Sequence, residues 1–217
     1  MKVKELMTEH VLAVGPEAPL KDAAAILAEN RISGLPVISE QRRVLGVVSE
    51  ADILIKERGP EARHGGLIAW LLVGGLPDDE RLSARSSGEA MTSPAITIGA
   101  ESHVSEAARL MTENGIKRLP VVDADHKLVG IVTRSDLVRA FARPDEEIGR
   151  EIREDVVQRA LWIEDGALDV RVERGEVTLS GEVERRSDAE LLPPFVGRVP
   201  GVVTVQSTLT WRWDDRK

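Results

Sequence analysis

The sequence predicts an α+β chain: a β-α-β-β-α unit present twice, followed by a single-copy α-β-β-α-β tail. Three observations carry this. Met7-Thr8 recurs as Met91-Thr92, Leu35-Pro36-Val37 as Leu119-Pro120-Val121, and GVVSEAD (46–52) as GIVTRSD (130–136), every pair 84 residues apart with no insertion in either copy. A constant offset through several short motifs marks one duplicated supersecondary unit. Within each copy a helical apolar stripe is followed by two short apolar runs of strand character, and after Arg143-Pro144 the repeat gives way to a different pattern. The expected division is 1–55 for the first repeat, 56–88 for an insert, 89–142 for the second repeat and 143–217 for the tail. Two copies are too few for a solenoid, so the expected assembly is a pseudo-twofold pair with two related clefts.

Each repeat opens with an extended segment, residues 11–14 and 95–98. A helix follows, with Leu20, Ala23, Ala24 and Leu27 at i, i+3, i+4 and i+7, reproduced by Val104, Ala107, Ala108 and Met111. That spacing makes one apolar stripe, with alanines where a neighbour must come close. Pro19 suits a first helical turn, and Ser102 is a candidate N-cap. Strands are expected at 35–38 and 44–49, and at 119–122 and 128–133. They are apolar enough to be covered on both faces. Each second strand runs straight into a helix, at 51–56 and 135–141.

The insert holds the run GGLIAWLLVGG (65–75), read as a short helix that caps the core or meets a second subunit, with a membrane-surface contact as the alternative. In the tail, Ile148, Ile152, Val156 and Ala160 recur every fourth residue on a helix. Leu168, Val170 and Val172 alternate up to an Arg174-Gly175 turn, and Val177, Leu179 and Val183 continue a hairpin on the far side. A helix starting near Ser187 is expected to break or kink at Pro193-Pro194, and residues 202–213 close the tail as a strand.

Composition narrows the function. The net charge is −8, opposite to the basic stripe that nucleic-acid binding needs. The chain has no cysteine, which excludes thiol catalysis, disulfides and Cys-ligated metal. The longest apolar stretch, 66–76, is shorter than the ~20 residues that cross a bilayer, and the N-terminus has no secretory pattern. A cytoplasmic protein is expected. His10, His64, His103 and His126 are scattered, without a metal or general-base pattern, and no Walker-type loop is present. A non-enzymatic protein is expected.

The junctions carry the chemistry. Ser49-x-x-Asp52 and Thr133-x-x-Asp136 have capping-box spacing, in which hydroxyl and carboxylate satisfy free N–H groups at a helix start. The same groups suit a ligand: helix N–H groups favour a phosphate beside the hydroxyl, and the carboxylate can accept from two ribose hydroxyls. A cap alone does not require the same glycine and aspartate in both copies.

In tandem, the MT-x-x-(V/A)-x-x-V opening, the LPV strand and the G-h-h-(S/T)-x-x-D junction resemble a CBS-domain pair, or Bateman module. The resemblance covers about two thirds of the chain. It implies a disc-like, often dimeric module that binds an adenosine-containing ligand. Matched position by position, Ser49 and Thr133 would contact phosphate, Asp52 and Asp136 would hold ribose, and the backbone of Ile32-Ser33-Gly34 and of Ile116-Lys117-Arg118 would line the base. Ser102 falls at a polar position that often faces the phosphate. The resemblance leaves AMP, ADP, ATP, NAD, S-adenosylmethionine and cyclic dinucleotides open, with an adenine nucleotide foremost. Lys117, Arg118 and Arg134 supply cations in the second copy where the first has Ser33, Gly34 and Glu50, so one good site and one poorer or empty one are expected.

The tail, through RVERGEVTLSGEV (171–183) and VPGVVTVQSTL (199–209), resembles a BON domain. That implies a partner protein or a membrane surface, although an acidic chain suits anionic lipid poorly. Trp162, Trp211 and Trp213 are candidates for core or for partner contact. The expected whole is a homodimeric regulatory sensor that couples nucleotide to the BON domain; the competing expectation is a scaffold with empty clefts.

Overall fold

A computed structural model of the protein describes residues 1–57, 83–160, 163 and 168–216. The apolar run of the insert and Trp162 lie outside the described residues. The chain forms two compact units, one of residues 7–101 and 118–132, the other of residues 1–6, 102–117 and 133–217.

The first unit holds the first repeat and the strands of the second. Helix α1 (Leu20–Asn30) buries Leu20, Ala23 and Leu27, the stripe read from the sequence, and ends at Arg31 in the left-handed conformation (φ 53°). Strand β1 (Gly34–Ile38) pairs antiparallel with β2 (Val44–Ser49), with Leu35 opposite Val48. Helix α2 (Glu50–Glu57) follows without a break, and α3 (Ser87–Ala90) lies before the second repeat's strands. The core gathers Val14, Leu20, Ala23, Leu27, Leu35, Val37 and Val48 with Ala84 and Ala90. The opening strand expected at 11–14 is reduced to one bridge, Val14 to Val37; Val14 N–H donates to the Pro36 carbonyl, and the Val14 carbonyl accepts from Ile38 N–H. Its counterpart β3 (Ile98–Gly99) runs parallel to β4 (Arg118–Val122), which neighbours β5 (Leu128–Thr133).

The openings of the repeats are exchanged. Thr8 trades backbone hydrogen bonds with Ile131 (2.9 and 3.0 Å), and Thr92 trades them with Val47 (2.9 and 3.1 Å). Each Met-Thr therefore pairs with the other copy's second strand. The glycines of GVVSEAD and GIVTRSD follow from this: a Cβ on Gly46 would overlap the Met91 sulfur, and one on Gly130 the Met7 sulfur. The exchange extends upstream. Ser87 N–H donates to Ala18 and Leu20 N–H to Arg85 in the first unit, while Val3 N–H donates to Ser102 and Val104 N–H to Met1 in the second. Every one of these pairs has its partner at the 84-residue offset.

The second unit begins with a short 3-10 turn at Val3–Glu5 and holds α4 (Val104–Glu113), α5 (Arg134–Phe141) and the tail. Helix α4 buries Val104, Ala107 and Met111. Its N-cap is His103, which makes no side-chain cap bond; Ser102, expected as the cap, lies one residue earlier. In the tail, α6 (Asp145–Glu151) continues into a π-helical stretch, Ile152–Ala160. A four-residue apolar period outruns the 3.6-residue turn of an α-helix, and the wider winding keeps Ile148, Ile152 and Val156 buried together with Val157.

Strands β6 (Leu168–Glu173) and β7 (Glu176–Arg185) form the expected hairpin, and β8 (Thr204–Trp213) lies parallel to β7 on its other side. The Asp145 carboxylate accepts the N–H groups of Arg174 (2.6 Å) and Gly175 (2.9 Å), tying the hairpin turn to the start of α6. Helix α7 (Arg186–Val196) contains Pro193 and Pro194 and is not ended by them. Leu192 and Val196 are fully buried on either side of the prolines, and Gly197 N–H closes the last turn on the Pro193 carbonyl. Trp211 and Trp213 are exposed, beneath Arg186 and Arg185 respectively, so neither is core.

Candidate functional site: the strand-to-helix junctions

Both junctions fold by the same local chemistry. An apolar strand ends on a hydroxyl residue in extended conformation, and the chain turns at once into a helix. Ser49 N–H and Oγ donate to Asp52 Oδ2 at 2.8 and 2.7 Å; Thr133 N–H and Oγ1 donate to Asp136 Oδ2 at the same two distances. Asp136 N–H returns a longer bond to Thr133 Oγ1 (3.4 Å), completing a capping box. Each junction is also fixed to the residues before the LPV strand: Glu50 N–H donates to the Ser33 carbonyl (3.2 Å), and Arg134 N–H to the Lys117 carbonyl (3.0 Å). The hydroxyl and carboxylate of each motif are thus held beside the backbone of its own 32–34 or 116–117 segment.

At the second-repeat junction, Asp136 is buried, at 8% exposure, and Oδ1 accepts from Arg139 at 3.0 Å. Oδ2 serves the cap and Oδ1 faces an exposed partner. An ionised carboxylate has about four acceptor positions, so the cap does not exhaust it. Arg134 turns its Nε onto the Ile116 carbonyl (2.9 Å), and Lys117 is exposed beside it. Arg139 was not among the residues read from the sequence, yet its i,i+3 spacing from Asp136 on a helix was a readable signal.

The first-repeat junction holds an unexpected cation. Arg118, grouped from the sequence with the second copy's cations, directs its guanidinium to the first copy, where Nη2 donates to Ser33 Oγ at 2.6 Å. Nη1 lies over Gly34 so closely that a Cβ there would overlap it. Arg118 is 9% exposed. Burial lowers its pKa from the ordinary guanidinium value, and the carboxylates of Glu50 and Asp52 work against that fall. An arginine remains charged even so. The three cations Lys117, Arg118 and Arg134 therefore do not gather at one junction. Sequence spacing places Arg118 on a strand, but not the direction its side chain takes.

Among the described residues no group of His, Asp and Glu side chains could hold a metal ion, and no helix is long and apolar enough to cross a membrane.

A duplicated β-α-β-β-α unit with a hydroxyl–carboxylate pair at each strand-to-helix junction defines a tandem-repeat protein, and the family comparison agrees. The CBS domain matches residues 3–58 and 88–143, and the BON domain residues 144–212. The chain belongs to the CBS-domain proteins, as a tandem pair forming a Bateman module with a C-terminal BON domain.

It is 32% identical over 151 residues to the chloroplastic CBS domain-containing protein CBSX1 of Arabidopsis thaliana, covering 64% of this chain and 63% of CBSX1. To CBSX2 of the same plant it is 33% identical over 148 residues, covering 64% and 62%. The similarity thus spans less than two thirds of either relative. The crystal structure of CBSX2 in complex with AMP matches with a TM-score of 0.51 and 33% identity, over 64% of this chain and 94% of that one. The CBS domain pair of protein MJ0100 in complex with methylthioadenosine and S-adenosyl-L-methionine matches with a TM-score of 0.51 and 25% identity, over 65% and 100%.

Proposed function

We propose that the CBS pair binds an adenosine-containing nucleotide at the second-repeat junction, and that the protein is a non-enzymatic sensor with the BON domain as its output. The observation that carries this is Asp136: a buried carboxylate fixed by Thr133, with its second oxygen facing an exposed partner that ribose hydroxyls can replace. Thr133 at the start of α5 suits phosphate, Lys117 and Arg134 supply positive charge, and the Ile116-Lys117 backbone suits the base. Relatives crystallised with AMP, and with methylthioadenosine and S-adenosyl-L-methionine, share the ligand class. A homodimer in the cytoplasm, with a protein partner at the BON domain, completes the reading.

The test is calorimetry with AMP, ADP, ATP and S-adenosylmethionine on the parent and on Asp136→Ala. The parent is expected to bind at least one of them. Loss of the carboxylate removes a charge-assisted hydrogen-bond partner worth roughly 1.5–3 kcal/mol, about ten- to hundred-fold in affinity. A second reading, a scaffold with empty clefts, is favoured by one observation: each junction carboxylate already serves a helix cap, which is sufficient reason for Ser/Thr and Asp at that spacing. Titrations flat for all four compounds would establish the scaffold instead.

A further inference from the structure

We propose that Arg118, a second-repeat residue, is a built-in occupant of the first-repeat junction that keeps it closed to nucleotide, so that the chain takes up one nucleotide rather than two. This rests on the nucleotide reading above and adds the residue that makes the two junctions unequal.

The guanidinium fills the volume over Gly34 where a ligand's base would have to lie, and Gly34 is the residue type that admits it, because any Cβ would overlap Nη1. It is anchored at Ser33 Oγ and attracted by Glu50 and Asp52. Those two carboxylates with the arginine leave one net negative charge. A nucleotide entering here must displace a buried cation that two carboxylates attract and bring its own negative charge towards them, which is doubly unfavourable. The 84-residue offset shows why the arrangement is not returned. The position equivalent to Arg118 is Gly34, which has no side chain to send across, and the position equivalent to Glu50 is Arg134, whose charge has the opposite sign. The first junction is closed by a cation held at Ser33 over Gly34, whereas Lys117 and Arg134 put positive charge at the second.

The test is AMP calorimetry on four full-length proteins: the parent, Asp136→Ala, Arg118→Ala and the double variant. Arg118→Ser serves alongside in case an apolar residue beside two carboxylates does not fold, and circular dichroism and thermal melting confirm the fold of each. The parent is expected to bind one AMP per chain. Asp136→Ala should lose at least tenfold in affinity, Arg118→Ala or Arg118→Ser should bind two, and the double variant should regain one site. A parent that binds one AMP while both Arg118 variants still bind one, or bind more weakly, overturns the closed-junction inference alone. A parent and Arg118 variants all silent towards AMP and S-adenosylmethionine overturn the nucleotide reading and this inference with it.

Discussion

At the scale of single residues, the repeated glycines show how a motif can be read correctly and explained wrongly. The recurrence of Gly46 and Gly130 suggests a ligand-driven constraint, but each glycine faces the methionine of the other copy's opening. Gly46→Ala is therefore expected to destabilise by about 1–3 kcal/mol, as overpacking does. A double-mutant cycle with Met91→Ala should return a coupling of roughly 0.5–3 kcal/mol, the range for residues in contact; urea unfolding measures it, and simple additivity would show that the methionine is not what the glycine serves. Glu151 is the other residue with a specific expectation. Burial raises its pKa, yet hydrogen bonds from the Met1 ammonium (2.5 Å) and Arg143 (2.7 Å), with their charges, hold it below the ordinary carboxylate value. A depressed carboxylate stabilises above its unfolded pKa of ~4.3, and that contribution is lost as pH falls through the folded value. Glu151→Gln should thus cost roughly 1.5–3 kcal/mol at pH 7, and its melting temperature should fall less than the parent's between pH 7 and 3. Parallel pH profiles would remove Glu151 from the acid response.

At the scale of elements, the helices were the most legible part of the sequence, because their apolar periods do not depend on the partner. The stripes of α1 and α4 bury the residues that the spacing chose, apart from the half-buried Ala24 and Ala108. The first strand of each repeat was less legible: residues 11–14 have strand composition but meet the sheet through a single bridge at Val14. What a sequence cannot display is a segment's partner, and so the exchange of the openings is invisible in it although both Met-Thr pairs are plain. Arg118 escaped for the same reason. Its strand was evident; its destination depended on Gly34 lying across from it. In α7 a local rule was overridden by packing, since Leu192 and Val196 are buried on either side of Pro193-Pro194 and hold the helix together. Pro193→Ala should therefore stabilise the tail. A helix-interior proline costs about 3 kcal/mol relative to alanine, and the proline's stiffening of the unfolded chain offsets about 0.4–1 kcal/mol of that. A net gain near 2 kcal/mol in a urea melt is expected, and a loss would show that the proline ring is itself a core contact.

At the scale of the whole molecule, the division into compact units does not follow the division into repeats. The sequence change at Pro144 suggests a boundary at 142–147, with residues 1–142 sufficient for folding and binding. The first unit supports that: its core of Val14, Leu20, Leu35, Val37 and Val48 draws nothing from the tail. The second unit complicates it, because α4, α5 and the Thr133–Asp136 junction belong with the tail in one compact body. Arg143 donates to the Pro200 carbonyl (2.8 Å), and a Cβ on Gly201 would come within 3.2 Å of the Phe141 carbonyl, so the end of α5 and the tail are in close contact. A fragment of residues 1–142 is accordingly expected to fold on the first unit's core, to bind AMP, and to bind it with an affinity different from that of the full chain. If the tail's packing shifts the junction's affinity, then nucleotide must shift the tail's stability by the same factor, since linkage between binding equilibria is reciprocal. Calorimetry on both lengths, paired with the unfolding of the tail at saturating and zero AMP, measures the coupling from both directions. Equal affinities with an unmoved tail would leave the BON domain a passive tether. An insoluble or non-binding fragment would show that the tail forms part of the junction's architecture and that the boundary at Pro144 divides sequence patterns but not folding units.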